Sequence, residues 1–341
     1  PFIIRIAHLL SVDQLWDRKK RDVSIMYRET TVAIGAGLAS ALLSVAIAFG
    51  SGLGLLLVYF ALLPILLIGL SQGQRSVSIA AVAGLFSTIF FTNIFQGAIY
   101  GVSVALPAWL IVQYGLNSQT TRDGSTIWFP IGEILARLAA LGGIALVLGA
   151  ITYFDATGGF VKVIEEFLDK ILAARLQFGS PTQRHQLVER LVPFFPAISA
   201  ASWILMVSIN GILAQSILIR AGRNLRPVVH YSSISAPEWL YWGLLGAGAL
   251  ALLGSGSFEY VGHNLAIVLG IPFFFIGLGV IHTLARLLRS PSIALTAFYF
   301  LMVISRWAIF VVAIIGFFEE WNDLRHRFGA PATKEDDDEE E

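Results

Sequence analysis

The stretch VGHNLAIVLGIPFFFIGLGVIHTLARLLRSPSIALTAFYFLMVISRWAIFVVAIIGFFEEWNDLRHRF, Val261 to Phe328, decides the fold. Two apolar runs flank a short turn that carries Arg286, Arg289 and Pro291. The second run, Ile293 to Phe318, is 26 residues long and is broken only by Ser305 and Arg306 near its middle. An apolar helix of 18 or more residues is long enough to cross the roughly 30 Å hydrocarbon core of a bilayer. The stretch therefore reads as a helical hairpin in a membrane with ionisable groups inside it.

The totals agree. Of 341 residues, 56% are hydrophobic and 13% charged, with a mean hydropathy of +0.74. Soluble domains carry about 25% charged residues. The zero net charge hides a division: Glu335 to Glu341 are all acidic, and without them 23 basic residues stand against 16 acidic ones, a net charge of +7. With no cysteine, disulfides, thiolate metal sites and a cysteine nucleophile are excluded.

Working outward, residues 1–29 form a basic arm with Arg5, Arg18, Lys19, Lys20, Arg21 and Arg28, which the positive-inside rule places in the cytoplasm. The chain opens on Pro1, and Met26 precedes the first apolar run, so residues 1–25 read either as an upstream extension or as an amphipathic arm lying on the membrane. Spans are expected at Thr31–Phe49, Gly52–Leu70, Val77–Ile94, Gly97–Leu116, Ile131–Phe154, Leu191–Ile219, Trp239–Leu253, Asn264–Leu288 and Ile293–Phe318. Asn117–Phe129 is expected as a polar loop. Within 158–177, Val161, Ile164, Phe167, Leu168, Ile171, Leu172 and Leu176 keep helical spacing opposite a charged face. That pattern predicts an amphipathic helix lying in the interface, or a solvated helix between spans. Residues 329–341 lack anything able to build a core and read as a disordered acidic tail.

The expected fold is thus all-α, a polytopic transmembrane bundle of eight or nine spans with one interfacial helix. Residues 30–328 form its transmembrane domain, in an inner membrane of bacterial type. Nine spans put the tail outside, whereas Arg325 and Arg327 favour the inside and hence eight.

Several constellations invite function. Arg306 is the costliest residue, since a guanidinium at membrane depth needs a partner or a water-filled cavity. On a continuous helix Tyr299, Met302 and Phe310 share its face, and Asn210 is a candidate partner. His282 and Arg286 lie one turn apart behind Gly277 and Gly279, and Pro272 withdraws the donor that would bond the Val268 carbonyl. These residues read either as an anion site or as a helix end snorkelling toward phosphate headgroups. Small residues recur every fourth position, at Ala33, Gly37 and Ala41 and again at Ala80 and Gly84. Such stripes let helix backbones approach closely, either to dock another membrane subunit or to pack within the bundle. Glu133 and Arg137 read as an i, i+4 ion pair, and Asn93, Asn264 and Gln215 as hydrogen-bonding groups between helices.

Zinc-protease, phosphate-loop and paired-aspartate motifs are missing, so the sequence reads as non-enzymatic and calls for no cofactor. Its expected partners are the lipid bilayer, a small solute or another membrane subunit, and not nucleic acid.

The segments GLGVIHTLAR (Gly277–Arg286), GFFEEWNDLRHRF (Gly316–Phe328), ALPAWLIVQYGL (Ala105–Leu116) and IGEILARLAALGG (Ile131–Gly143) resemble the YybS-like membrane proteins, and the resemblance runs from about Thr30 to Phe328. That family is distantly grouped with the S-components of energy-coupling-factor transporters, which bind vitamins or metal ions in the membrane. The resemblance implies solute binding. It also implies docking on a coupling subunit through an Ala-x-x-x-Ala stripe, to which Ala33, Gly37 and Ala41 are similar with glycine in the middle. S-components have about six spans, fewer than expected here. The competing reading from another class is a membrane scaffold or assembly factor, and an intramembrane enzyme comes third.

Overall fold

The computed structural model describes residues 24, 26–46, 52–154, 159–175, 180–228, 234–322 and 325. Most of the basic N-terminal arm and the acidic tail lie outside the described residues. The elements in chain order are α1 over 26–45, α2 (Gly52–Tyr59), α3 (Leu63–Gln72), α4 (Gln74–Phe91), α5 (Ile94–Tyr100) and α6 (Leu106–Gly115). Strands β1 (Ser118–Thr120) and β2 (Thr126–Trp128) follow, then α7 (Ile131–Thr152), α8 (Gly159–Arg175), α9 (Pro181–Leu191) and α10 (Phe195–Arg220). The chain continues with α11 (Glu238–Leu253), α12 (Ser257–Ala285), α13 (Pro291–Ile304) and α14 (Arg306–Asn322).

Six helical segments among the described residues are long and apolar enough to cross a membrane, and seven if α13 and α14 count as one bent span. Of the remaining expected spans, the far end of α1 lies outside the described residues, and α11 is 16 residues long.

The chain divides into two compact units. The first takes residues up to Phe129 together with Leu205–Val228, the second Pro130–Ile204 and everything from Val229 onward. Helix α10 contributes to both.

In the first unit, α1 packs on α4 where both are made of small residues. A Cβ at Gly37 would strike the Ala80 carbonyl oxygen and come within 2.8 Å of the Gly84 nitrogen. Gly69 likewise admits Val77 and Val112, which brings α3, α4 and α6 together. Two of the spans are not regular helices. The α2–α3 segment breaks at residues 60–62, ahead of Pro64 in the first turn of α3. Proline has no N–H to offer the carbonyl four residues back, and its ring crowds that carbonyl, yet it suits a helix's first turn. Between α5 and α6 the chain widens into a π-helical turn over Gly101–Ala105, just before Pro107.

The expected polar loop at 117–129 is a β-hairpin, with Ser118 opposite Trp128 and Thr120 opposite Thr126. Its tip needs the positive φ of Gly124 (83°). Arg226 fastens it, donating to the carbonyls of Gly115 (3.1 Å) and Phe129 (3.0 Å) with its guanidinium 5.7 Å from the Trp128 ring centre. These carbonyl bonds, across 111 and 97 residues, are invisible to sequence periodicity.

In the second unit α12 is the central helix, running unbroken through Pro272. Helix α11 fits against it at Gly262, and α7 at Gly143. Helix α14 fits where Gly277 meets the Val312 carbonyl and Gly316 meets the Phe273 carbonyl. As numbers fall along α12 they rise along α14, so the two are antiparallel. Tyr241, Phe273 and Phe317 close the interface, with ring centres 4.8 to 5.3 Å apart.

Helix α8 forms within the segment expected to be helical. Its Leu168 is buried with Val188 and Val192, and Phe195 and Tyr260 pack on the cluster. Helix α9 was not anticipated. Its signal is Ser180-Pro181-Thr182-Gln183, which forms a capping box: Ser180 Oγ accepts from the Gln183 N–H, and Gln183 Oε1 accepts from the Ser180 N–H.

The largest departure is at Ile293–Phe318, expected as one straight span. Ser305 is extended (φ −102°, ψ 105°), and α13 and α14 meet there at a bend of 120°. Arg306 therefore opens a helix instead of sitting inside one, and the continuous face it was expected to share with Tyr299, Met302 and Phe310 does not exist. The N–H groups of a helix's first turn have no intrahelical acceptor, unlike those mid-helix, and apolar content alone does not reveal where such a turn begins.

Candidate functional site: a broken span capped by buried polar groups

The break between α2 and α3 exposes backbone that a continuous helix would satisfy. In a bilayer such groups need internal partners, and the first unit supplies them from α10 and α1, with α5 backing the second. Asn210 on α10 donates through Nδ2 to the Tyr59 carbonyl (2.6 Å) and to its own helix at Met206 (2.8 Å). Ser40 on α1 donates to the Ala61 carbonyl (2.6 Å). Its hydroxyl also lies 2.8 Å from that of Tyr100 on α5, the residue just before the π turn. Asn210, Ser40 and Tyr100 are 1%, 0% and 2% exposed, so this polar seam is sealed from the surroundings of the unit.

Gly84 on α4 makes room for it. A Cβ there would collide with the Tyr100 hydroxyl and lie 2.8 Å from Cζ. One group in the seam stays unsatisfied: Asn210 Oδ1 is buried and has no hydrogen-bond partner. A buried amide oxygen left without a donor costs about 1–3 kcal/mol, so the arrangement is poised to accept one.

The residues singled out from sequence fall as follows. Asn210 is at the break, in the first unit. Ala33, Gly37, Ala41, Ala80 and Gly84 are in the same unit, where Gly37 and Ala80 meet and Gly84 seats Tyr100. That surface is occupied by the protein itself.

His282 and Tyr299 are brought together in the second unit: Nε2 lies 3.3 Å from the tyrosine hydroxyl, while Nδ1 bonds the Leu278 carbonyl at 2.8 Å. Arg286 follows the last turn of α12 and is exposed. Gly277, expected to thin a wall beside this pair, is filled by the backbone of α14. The side chain of Arg306 lies outside the described residues. Glu133 and Arg137 do pair, and Asn264 joins helices by bonding Ala197 N–H and the carbonyls of Pro193 and Tyr260.

Ser40 belongs with Ala36, Ser44 and Ala48 to a second small-residue stripe of the first span, but its bond to the break, Tyr100 and the break itself were not read from the sequence. Pro64 inside an apolar run was the available signal. Sequence reading also passed over Glu319, which is 3% exposed on the α12-facing side of α14. Arg325 Nε reaches its Oε1 at 2.6 Å, and Oε2 has no partner.

Long apolar helices with their interrupted backbone satisfied from within define an integral membrane protein. The chain belongs to the family described as predicted membrane protein (DUF2232), whose model matches residues 38–319. No curated protein and no solved structure matches it.

Proposed function

We propose that this protein is a non-enzymatic, multi-pass protein of the inner membrane that binds a small solute at the broken span of its first unit. The observation that carries this is Asn210 Oδ1, a buried acceptor without a donor, on the side chain whose amide nitrogen caps the Tyr59 carbonyl at the end of α2. Discontinuous helices whose unwound carbonyls face polar side chains are the way helical transporters build binding sites in lipid. The π turn next to Tyr100 points the same way, since such turns recur at functional sites. The YybS-like and S-component resemblance supports binding as well.

In this reading the N-terminus is cytoplasmic and α8 lies in the interface. Eight spans are α1, α2–α3, α4, α5–α6, α7, α10, α11 and α12. The bent α13–α14 pair decides between eight and nine. His282 and Tyr299, which meet, are with Arg286 and Arg306 the residues of a second, anion-binding reading.

A scaffold or assembly factor is the second reading. It is favoured by the fit of the small-residue stripes to each other and by the local bonding of His282. Purification from native membranes, followed by mass spectrometry of bound proteins and small molecules, separates the two. A solute present in the wild type and lost from Asn210→Leu supports binding there, and one lost from Arg306→Leu supports the anion-binding reading. A recurring protein partner with no solute in any variant supports the scaffold.

A further inference from the structure

We propose that the α2–α3 break, together with Asn210, is a binding site for a monovalent metal cation, with sodium the cation it fits. The inference rests on reading that break as the functional centre, and it names a ligand the solute reading does not require.

The donors are all neutral oxygens. Tyr59 O, which accepts from Asn210 Nδ2, and Ala61 O, which accepts from Ser40 Oγ, belong to the interrupted backbone, Tyr100 OH lies against Ser40 Oγ, and Asn210 Oδ1 is unpartnered. Hard cations take oxygen ligands of this kind, carbonyl, amide and hydroxyl. Unwound carbonyls and half-helix C-termini are where sodium-coupled carriers hold their ion.

The independent observation is Asn210. An asparagine 1% exposed, with its amide nitrogen spent on two carbonyls and its oxygen on nothing, is an acceptor oriented for a positive partner. A single charge without a carboxylate suits a monovalent ion better than a divalent one, whose desolvation neutral oxygens offset poorly. Of the first unit's charged side chains, Arg28, Arg75, Arg122, Arg220 and Arg223 are exposed, and the half-buried Arg226 is held by the Gly115 and Phe129 carbonyls.

The test is thermal unfolding of the full chain in detergent, with sodium chloride replacing choline chloride at constant ionic strength. The expected result is a rise of about 3 °C across a hundredfold increase in sodium, as binding to the folded state alone produces. Asn210→Asp, which keeps an oxygen and adds charge, should respond at lower sodium. Asn210→Ala should not respond. A flat wild-type curve, or an undiminished rise in Asn210→Ala, overturns the proposal.

Should Asn210→Ala not fold, hydrogen exchange of the wild type decides. Sodium should slow amides over 57–66 while leaving α12 unchanged, and the absence of that local protection overturns the site. A protein that still co-purifies with a solute yet ignores sodium refutes the cation site and leaves solute binding standing.

Discussion

Gly84 lies directly beneath the hydroxyl of Tyr100, and that hydroxyl in turn meets Ser40 at 2.8 Å. The small residue on α4 thus does something a stripe count cannot express. It admits a polar group from α5 into the seam beside the broken span.

Gly84→Ala should therefore destabilise the protein by about 1–3 kcal/mol through overpacking against the tyrosine. Tyr100→Phe alone should cost about 1 kcal/mol for the lost bond to Ser40. The double variant should recover part of the glycine penalty, because the nearer colliding oxygen is gone while Cζ, 2.8 Å from the new Cβ, remains. A double-mutant cycle from chemical denaturation in mixed micelles measures the coupling, and strictly additive effects would contradict this geometry.

At the α12–α14 contact, Gly277→Val places methyl groups against the Val312 carbonyl. A loss of about 2 kcal/mol or more is expected, since backbone cannot rotate out of the way as a side chain can. Gly270→Ala is the control on the same helix. Nothing lies within 4 Å of a Cβ there, so it should be neutral or slightly stabilising from helix propensity.

Glu319→Ala leaves the largely buried Arg325 guanidinium without its carboxylate. Breaking one side of a buried pair costs about 3–5 kcal/mol, far more than the pair itself contributes. Removing both charges, with Glu319→Gln and Arg325→Met, should restore much of the loss. Thermal unfolding of the two variants beside the wild type ranks them, and a double variant no better than Glu319→Ala would argue against the pair.

The hairpin tip is acid-sensitive. Thr121 and Ser125 donate to Asp123, and these bonds hold its carboxyl below the ordinary 3.8. A carboxyl depressed in the folded hairpin stabilises it fully above the unfolded value, and that stabilisation fades as pH falls through the folded value. Hydrogen exchange over 118–128 should thus be slow at neutral pH and quicken below about pH 4 beyond the intrinsic trend. Asp123→Ala should remove that extra acid dependence.

The chain contains no cysteine, so any introduced one is unique. Because α14 runs antiparallel to α12, Leu288→Cys and Asn322→Cys should be labelled by an impermeant thiol reagent from opposite faces of the membrane, with Leu288→Cys on the cytoplasmic side. Labelling of both from one face would make α13–α14 re-entrant and the span count eight.

Much of the fold was legible because lipid imposes one simple demand. Each apolar run of sufficient length must be helical to satisfy its backbone, so Ile131–Thr152 and the core of Ser257–Ala285 could be located by composition. The helical spacing of its apolar residues marked the helix at α8. The break at Ser305 and the hairpin at 118–128 were not legible. Composition there is compatible with a straight helix or a loop, and only partners distant in sequence, such as Arg226, select the outcome.

The sequence by itself determined that this is a membrane-embedded, helical protein, because hydrophobic run length and the cost of unpaired amides in hydrocarbon are local properties. Which small residues face which neighbours was decided only by the tertiary structure. So was the identity of the groups that cap a broken helix: Asn210 reaches Tyr59 across 151 residues. Such pairings depend on how helices are brought side by side, and periodicity along one helix carries no information about the face opposite it.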